Sequence, residues 1–397
     1  MSNFSQAPHK VDGLVPFTFS IPKEEIDALN TLLKRPLPIA TWENSQQDGR
    51  FGVSRDWVAK AISQWQAYDW HKYQESINAI PNFKVPVEDD GETYDVHFAG
   101  LFSQKKDATP LLLSHGWPGS FLEFLPILKK VQKQYASDPA SLPYHLIVPS
   151  VPGYGFTKIS TKKHMTLFDA SRILNKLMVK LGFKQYIAQG GDVGSMITKT
   201  VVEEYDECIA GHVNMLMLNP PKGEGIAPPT EIEQRALDRA AKFWESGMAY
   251  AMLHGTRPST ASFAVGTSPV SLLAWIGEKM IDWSDETPSI ETILGNVSLY
   301  WFTGCYPSSI YPYRELVGPT ARDRAVSHSL DKIKKPFGAS WFPLELVCVP
   351  KSWAEATGKV SFFKAHDKGG HFAALEVPDA LWQDIVEFVD HVYSTRK

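Results

Sequence analysis

The chain has 397 residues, of which 43% are hydrophobic, 12% aromatic and 21% charged, as in an ordinary globular protein with a large core. Its formal net charge of −4 provides no basic field, which argues against a nucleic-acid partner. Three cysteines, Cys208, Cys305 and Cys348, lie far apart without metal-ligand spacing. We therefore expect no metal site, and a reducing compartment.

The first residues contain no apolar segment of the kind that signal peptides carry. No stretch of the chain approaches the length of a membrane span, and even the apolar run at 213–218 has only the length of a strand. We expect a soluble, cytoplasmic protein without a membrane anchor.

Residues 1–92 show no regular alternation of strands and helices. Short helices are predicted at 23–34 and 54–65, the second with Ser54 as its N-cap. Aromatic residues crowd together between 57 and 73, but the segment has too little periodic structure to close a core of its own. It is therefore predicted to be an N-terminal extension that packs on the core and the lid of a larger body.

Strand-like and helical runs alternate in residues 93–220. Buried strands are predicted at 109–114, at 144–148 and near 212–218. This alternation predicts an α/β fold, with a mostly parallel sheet flanked by helices. Ligands of such sheets bind beyond the carboxyl ends of the strands.

The most informative stretch lies at 186–195 and reads Tyr-Ile-Ala-Gln-Gly-Gly-Asp-Val-Gly-Ser. Glycines surround Asp192 in the pattern of a nucleophile elbow, a sharp turn from a buried strand into a helix; the alternative is an aspartate in a surface turn. Apolar residues at helical spacing end at Gly182, a C-cap glycine, and helical spacing resumes after the turn, which favours the elbow. A carboxylate there can attack an alkyl carbon of an epoxide or a halide.

Residues 221–314 no longer alternate and are predicted to form a helical lid inserted into the core. Its helices are predicted at 232–252, 270–283 and 290–302. Residues 315–397 are predicted to complete the core, with a strand at 360–364 and a last helix at 379–392.

A nucleophile elbow predicts an acid and then a histidine later in the chain. His371 follows two glycines between the last predicted strand and the last helix, and it is preferred to His366 for that reason. Glu345 is an acid within an apolar run, where a bare solvated charge would be unusual. Asp331 and Asp367 are the competing acids.

Four motifs together resemble the epoxide hydrolases of the α/β-hydrolase superfamily, specifically the soluble fungal relatives of the microsomal enzymes. They are His-Gly-Trp-Pro-Gly-Ser at 115–120, Gly-Gly-Asp-Val-Gly at 190–194, Trp-Phe-Pro at 341–343 and Gly-Gly-His-Phe-Ala-Ala-Leu-Glu at 369–376. The resemblance covers nearly the full length of the chain. It implies an α/β-hydrolase fold with a helical lid, and hydrolysis of epoxides to vicinal diols.

The resemblance also assigns roles in a first, covalent step. Asp192 would attack an epoxide carbon and form an alkyl-enzyme ester, while two lid tyrosines protonate the opening oxygen. By motif, these tyrosines are Tyr250 and Tyr313. Tyr311 stays an alternative to Tyr313, and Tyr306 is a weaker candidate.

In the second step that the resemblance implies, His371, oriented by Glu345, would activate water against the ester. Backbone N–H groups of Trp117 and Val193 would form the oxyanion hole. Many relatives carry aspartate where Glu345 stands, so this acid requires a small adjustment of backbone or rotamer. The reaction needs no cofactor and no metal.

Alternative functions are a haloalkane dehalogenase and a catalytically silent binding protein of the same fold. The dehalogenase typically has tryptophan directly after the nucleophile, where this chain has Val193, and a serine esterase is disfavoured because Ser195 lies past the turn. The expected partners are water and an aryl or alkyl epoxide of modest size, in detoxification or aromatic hydrocarbon catabolism. An exposed apolar lid face could support a homodimer.

Overall fold

A nine-stranded sheet runs through the part of the molecule that the structure, a computed structural model, describes: residues 4–38, 51–222, 225–317 and 328–395. The strands are β1 (Val15–Phe17), β2 (Asn82–Asp89), β3 (Glu92–Leu101), β4 (Thr109–Ser114), β5 (Tyr144–Pro149), β6 (Tyr186–Gly190), β7 (Cys208–Val213), β8 (Phe337–Trp341) and β9 (Val360–Ala365). Their order in the sheet is β1-β2-β3-β5-β4-β6-β7-β8-β9.

The six strands from β5 to β9 in this order are parallel, whereas β1, β2 and β3 pair antiparallel. The prediction of a mostly parallel α/β-hydrolase sheet is confirmed. No strand is predicted in the first 92 residues, but β1 and β2 lie there and extend the sheet. Pro86 interrupts the strand pattern of β2, but it lies beyond the residues paired with β1, so no ladder hydrogen bond to β1 requires its missing N–H.

Helices cover both faces of the sheet. They are α1 (Lys23–Leu32), α2 (Arg55–Gln66), α3 (Trp70–Asn78), α4 (Leu125–Gln134), α5 (Leu167–Lys180), α6 (Val193–Glu204), α7 (Glu231–Lys242), α8 (Ala249–Thr256), α9 (Pro258–Gly266), α10 (Pro269–Asp282), α11 (Ile290–Thr303), α12 (Tyr306–Ser309), α13 (Tyr313–Leu316), α14 (Lys351–Ala356), α15 (Ala373–Glu376) and α16 (Pro378–Thr395). In β4, Leu112 packs in the cluster that holds α5 and α6, whereas Leu111 and Leu113 pack in the cluster that holds α4 and α16. The sheet is thus buried on both faces, as parallel sheets are.

Helix α5 and its ends follow the sequence closely. Thr166 and Asp169 form a capping box at its start. At its end Gly182 has a φ of +88°, and Gly182 N–H and Phe183 N–H bond the carbonyls of Val179 and Met178. These two bonds form a Schellman motif, so the predicted C-cap glycine is confirmed.

Three other predicted elements are displaced or divided. Strand β7 ends at Val213, so the strand predicted near 212–218 is placed too late; its Ala-Gly-His centre carries a weak strand signal, and the apolar run that attracts the prediction follows the strand. The helix predicted at 232–252 is three pieces, α7, a π-helical turn at Phe243–Gly247 and α8, because the chain is redirected at Gly247 and Met248. Helix α9 is not predicted from the sequence.

The N-terminal segment contacts the predicted lid through helix α11. Trp65 Nε1–H donates to Ser298 Oγ at 2.9 Å, and Tyr73 O–H donates to Gly295 O at 2.6 Å. Ser54 caps α2 as predicted, with its side chain accepting from Trp57 N–H. Residues 1–3 and 39–50 of the predicted extension and 318–327 of the last core segment lie outside the described ranges. The division of the chain at residues 92, 220 and 314 stays a prediction.

Of the helices described, none is by itself long and apolar enough to cross a membrane. Taken together, α9 and α10 meet the length and composition of a span, but they are bent by 110° where they join.

Candidate active site

Four residues predicted to act together follow four strands of the parallel part of the sheet, at the carboxyl ends of those strands. Trp117 follows β4, Asp192 follows β6, Glu345 follows β8 and His371 follows β9. Because the strands are parallel, their carboxyl ends lie together, which is where ligands of such sheets bind.

The turn after β6 has the geometry of a nucleophile elbow. Asp192 has φ +50° and ψ −126°, a conformation that costs a non-glycine residue free energy and is held by its surroundings. A Cβ at Gly190 would overlap the Gly194 backbone, and one at Gly194 would overlap the carbonyl of Ser114. The glycines are therefore required for the strand and helix to approach so closely, and the predicted elbow is confirmed.

The two carboxylate oxygens of Asp192 face different groups. Oδ1 accepts a hydrogen bond from the backbone N–H of Trp117 at 2.7 Å. Oδ2 lies 3.5 Å from Nε2 of His371. Val193 begins helix α6 directly after the turn, and the first N–H groups of a helix have no partner within it. One oxygen is thus held by the backbone N–H of Trp117, while the other faces the histidine.

Glu345 and His371 form a buried pair. The Nδ1 atom of His371 lies 2.6 Å from Oε1 of Glu345, which also accepts from Leu346 N–H. Burial alone would lower the pKa of His371, but the carboxylates of Glu345 and Asp192 raise it well above its ordinary value. Without a ligand, the imidazole is therefore a cation between two carboxylates.

The competing residues lie elsewhere. His366 stacks on Phe342 and its Nε2 lies 2.6 Å from Asp384 Oδ2, in a network behind the site. Asp331 and Asp367 are exposed. None of these three side chains contacts Asp192 or His371 in the described structure.

A cavity of about 110 Å³ opens on the other side of Asp192 and holds the tyrosine pair. Tyr313 O–H donates to Tyr250 Oη at 3.3 Å, and Tyr250 stacks on Trp117 with ring centroids 5.0 Å apart. Burial and the Asp192 charge raise the pKa of Tyr250, and burial with the neighbouring Tyr250 raises that of Tyr313, so both phenols are protonated at neutral pH. Apolar residues form much of the remaining wall: Met196, Met215, Met217, Phe243, Trp244, Met248, Leu316, Val317, Leu346 and Val347.

Tyr311 and Tyr306 are not part of this cavity wall. Tyr311 packs against Gly153, and burial together with the charge of Glu315 raises the pKa of its hydroxyl. The hydroxyl of Tyr306 lies 3.0 Å from His254 Nε2. Of the lid tyrosines considered, the structure brings Tyr250 and Tyr313 to Asp192.

Known proteins match this chain along nearly all of its length. The family model "Epoxide hydrolase N terminus" matches residues 14–124, and "alpha/beta hydrolase fold" matches 109–264. Epoxide hydrolase 1 of Oryctolagus cuniculus is 30% identical over 95% of this chain and 89% of its own. A candidate epoxide hydrolase of Dothistroma septosporum is 40% identical over 96% of this chain and 91% of its own.

This chain belongs to the epoxide hydrolases.

Solved structures agree with that assignment. The epoxide hydrolase of Aspergillus niger is 42% identical and superposes with a TM-score of 0.89, covering 98% of this chain and 99% of its own. The juvenile hormone epoxide hydrolase of Bombyx mori, 23% identical, shares the fold with a TM-score of 0.84 over 98% of this chain and 96% of its own.

In this epoxide hydrolase the segment at Trp283 and Asp285, within the predicted lid, holds the loop that carries His371. The backbone N–H of His371 donates to Trp283 O at 3.0 Å, and Gly369 N–H donates to Asp285 Oδ2 at 2.8 Å. Glu376 accepts from the N–H groups of Asp285 and Phe372. The histidine is therefore positioned by both the core and the lid.

No role is predicted from the sequence for Glu123, Asp285 or Glu376. Glu123 has the same sequence signal as Glu345, because it is an acid within an apolar run, Phe121–Phe124. Asp285 and Glu376 bond backbone N–H groups across the boundary between lid and core, and no local pattern reveals such contacts.

Proposed function

We propose that this epoxide hydrolase acts through a covalent ester on Asp192. The observation that carries the proposal is that the two oxygens of its carboxylate have different surroundings: Oδ1 accepts from the Trp117 N–H and Oδ2 faces His371, while Asp192 also lines the tyrosine cavity. A carboxylate so held is anionic, oriented and close to a base, as covalent catalysis requires.

In the first step Oδ2 attacks an epoxide carbon, the C–O bond of the ring breaks, and a tyrosine of the pair protonates the leaving oxygen. The attack makes an ester and a tyrosinate. The raised pKa of His371 means that it holds a proton, which returns through solvent to the tyrosinate. Once Asp192 is an ester, His371 has lost one of its two anionic neighbours and becomes a neutral base.

In the second step neutral His371 takes a proton from water while the water oxygen attacks Cγ of Asp192. The former Oδ1 carries the negative charge of the tetrahedral intermediate, facing the N–H groups of Trp117 and Val193. Collapse expels Oδ2 with the alkyl group, and the departing oxygen takes the remaining proton of the attacking water. The diol, the Asp192 carboxylate and protonated His371 are restored, so one epoxide and one water give one diol.

The tyrosine pair favours epoxide opening over halide displacement. A halide leaves as a stable anion and needs N–H donors rather than an acid, whereas an epoxide oxygen leaves as a basic alkoxide. Tyr250 and Tyr313 share the cavity with Asp192, and Val193 rather than tryptophan follows the nucleophile. The small, apolar cavity supports aryl or alkyl epoxides of modest size as substrates.

The test is single-turnover mass spectrometry of the intact protein with styrene oxide, comparing wild type with His371→Ala. We expect the variant to accumulate an adduct of the mass of the epoxide, located on Asp192 after digestion, because ester formation does not need the histidine and ester hydrolysis does. Wild type should turn over without lasting adduct.

His366→Ala is the matched control, because this neighbouring histidine contacts Asp384 and not the site. It should turn over without accumulating ester. Turnover of the epoxide by wild type without ester in either histidine variant would contradict the covalent mechanism. An absence of turnover across several epoxides would favour the silent binding protein.

The homodimer, the cytoplasmic location and the role in detoxification or aromatic hydrocarbon catabolism stay predictions. Exposed apolar side chains on the predicted lid, Trp244, Met252 and Phe263, support the homodimer. Sedimentation at several protein concentrations tests it.

A further inference from the structure

A second, much smaller cavity lies against Asp192. Its volume is about 10 Å³, the space of a single water molecule. Among described residues, Asp192 is the one side chain whose surface lines both this cavity and the tyrosine cavity. His371 and Glu123 line the small cavity, whereas the tyrosines do not. The acid residues and the base of the proposed reaction therefore face separate spaces that meet at the nucleophile.

The wall of the small cavity is polar where a water would need partners. It includes the side chains of Glu123, Asn214, His371 and Ser114. The Ser114 hydroxyl is fully buried and has no protein hydrogen-bond partner within the described ranges. The space is that of one water molecule, and these four polar residues are among those that surround it. A buried water needs two to four hydrogen-bond partners, and the wall contains polar groups of that number.

Glu123 is directed into this site by the chain around it. It lies in the turn Phe121–Phe124, at whose start Ser120 Oγ accepts from the Leu122 N–H. Its carboxyl folds back over Gly119, so closely that a Cβ at Gly119 would overlap Oε1 of Glu123. Burial raises the pKa of the carboxyl to about 8, so it is mostly protonated at neutral pH. Both forms of a carboxyl keep an oxygen that accepts a hydrogen bond.

We propose that Glu123 binds the hydrolytic water in the small cavity, accepting one of its hydrogens while the other faces Nε2 of His371. The proposal rests on the covalent mechanism above. In the ester, the water oxygen held between these two groups lies beside Cγ of Asp192, and the alkyl group occupies the tyrosine cavity. As His371 removes one proton of the water, the water oxygen attacks Cγ of Asp192; the other proton of the water, which was hydrogen-bonded to Glu123, passes to the departing oxygen, and the protonation of Glu123 does not change. Glu123 is thus a catalytic residue of the second step alone.

The experiment measures the two steps separately, by rapid mixing with styrene oxide and mass spectrometry of the quenched protein. Glu123→Leu removes the acceptor and fills the space of the water, so ester hydrolysis should slow by about 10²-fold while ester formation changes little. Ester should then accumulate on Asp192 during turnover. Glu123→Gln keeps an accepting oxygen of the same reach and should retain most of the hydrolysis rate.

Gly119→Ala provides a second variant in which Glu123 itself is unchanged. The added methyl group displaces the carboxyl from the cavity, and the same selective loss of hydrolysis should follow. Asp138→Asn, an exposed carboxylate change beyond helix α4, should leave both steps unchanged. Thermal unfolding of each variant shows whether it is folded, and Glu123→Ala replaces Glu123→Leu if the larger side chain does not fit.

Three results would overturn the proposal. Hydrolysis by Glu123→Leu at the wild-type rate would show that the carboxyl is not needed. An equal fall in both steps would assign Glu123 a structural role. Ester that accumulates in His371→Ala but in neither Glu123→Leu nor Gly119→Ala would refute the role of Glu123 and leave the covalent mechanism intact. Ester in none of the variants would instead refute the covalent mechanism.

Discussion

At the scale of single residues, two cavities meet at the carboxylate of Asp192, and the proposed acids and the proposed base lie on different sides of it. Tyr250 and Tyr313 line the apolar cavity together with Asp192, and His371 lines the small second cavity together with Asp192. The hydroxyls of the pair are 3.3 Å apart, so either can support the other when one loses its proton. Loss of a single tyrosine should therefore slow the reaction without abolishing it.

Phenylalanine substitutions test which tyrosines act. Tyr313→Phe and Tyr250→Phe should each slow ester formation by about 10²-fold, because the epoxide oxygen then leaves with one acid fewer. Tyr311→Phe is the matched control, two residues from Tyr313 in sequence and outside the cavity wall, and should leave ester formation unchanged. Stopped-flow measurement of single turnovers gives the rates. Equal losses for Tyr311→Phe and Tyr313→Phe would contradict the assignment.

How far these residues follow from the sequence depends on the kind of signal. Asp192 sits in a local pattern of glycines that only a tight turn explains, and His371 follows from its order in the chain. Glu345 is found because a charge within an apolar run needs a partner. The choice of Tyr313 over Tyr311 is different, because two tyrosines two residues apart differ only in direction, and direction comes from tertiary packing.

At the scale of elements, local chemistry determines which predictions succeed. Helix α5 is predicted closely because its signals, an apolar stripe and a terminal glycine, lie within the helix. Strand β7 is misplaced because its Ala-Gly-His centre carries a weak strand signal and the apolar run that follows it attracts the prediction. Strand β2 is missed because Pro86 interrupts its strand pattern, although it pairs with the adjacent β3 and with the distant β1.

The glycine that ends α5 provides an element-scale prediction. At Gly182, with φ +88°, alanine should lower the free energy of unfolding by roughly 1–2 kcal/mol, since an L side chain is strained there. Gly182→Asn adds a Cβ at the same place but tolerates positive φ, so its loss should be smaller. Urea denaturation measures both variants. Equal stability of the alanine variant and wild type would contradict the strain.

At the scale of the whole molecule, the parallel part of the sheet assembles the site from four separate stretches of chain. The order of these stretches can be read from the sequence, but the residues that lie between them in the folded protein cannot. Glu123 is an example. Its neighbour in the site, His371, lies far from it in the sequence, and the two line a common cavity only in the folded protein.

Burial of Glu123 should also make global stability depend on pH. The folded chain keeps its proton up to about pH 8, whereas the unfolded chain loses it near the ordinary value of 4.5. Folding thus takes up a proton between these values, and stability falls as pH rises, by at most about 1.4 kcal/mol per pH unit. Glu123→Gln lacks this group, so its stability relative to wild type should rise from pH 4.5 to 8 and then stay constant.

Urea denaturation of both proteins at intervals from pH 4.5 to 9 provides the comparison. Asp138→Asn, at an exposed carboxylate far from the site, serves as the control, and its stability relative to wild type should not follow the course expected of Glu123→Gln. A difference between wild type and Glu123→Gln that does not vary with pH would contradict the raised pKa.

The unequal surroundings of the two Asp192 oxygens also have an isotopic consequence. In water enriched in ¹⁸O, the first diol formed by each enzyme molecule should be unlabelled, because its new oxygen comes from the aspartate. The label enters the enzyme instead. If the oxygen bonded to the Trp117 N–H at 2.7 Å keeps its place through the cycle, the solvent-derived atom is always the next to attack, and every later diol carries the label. If the carboxylate rotates between cycles, only half of the second diols do. The enzyme would thus keep one oxygen atom for its lifetime and exchange the other at every turnover.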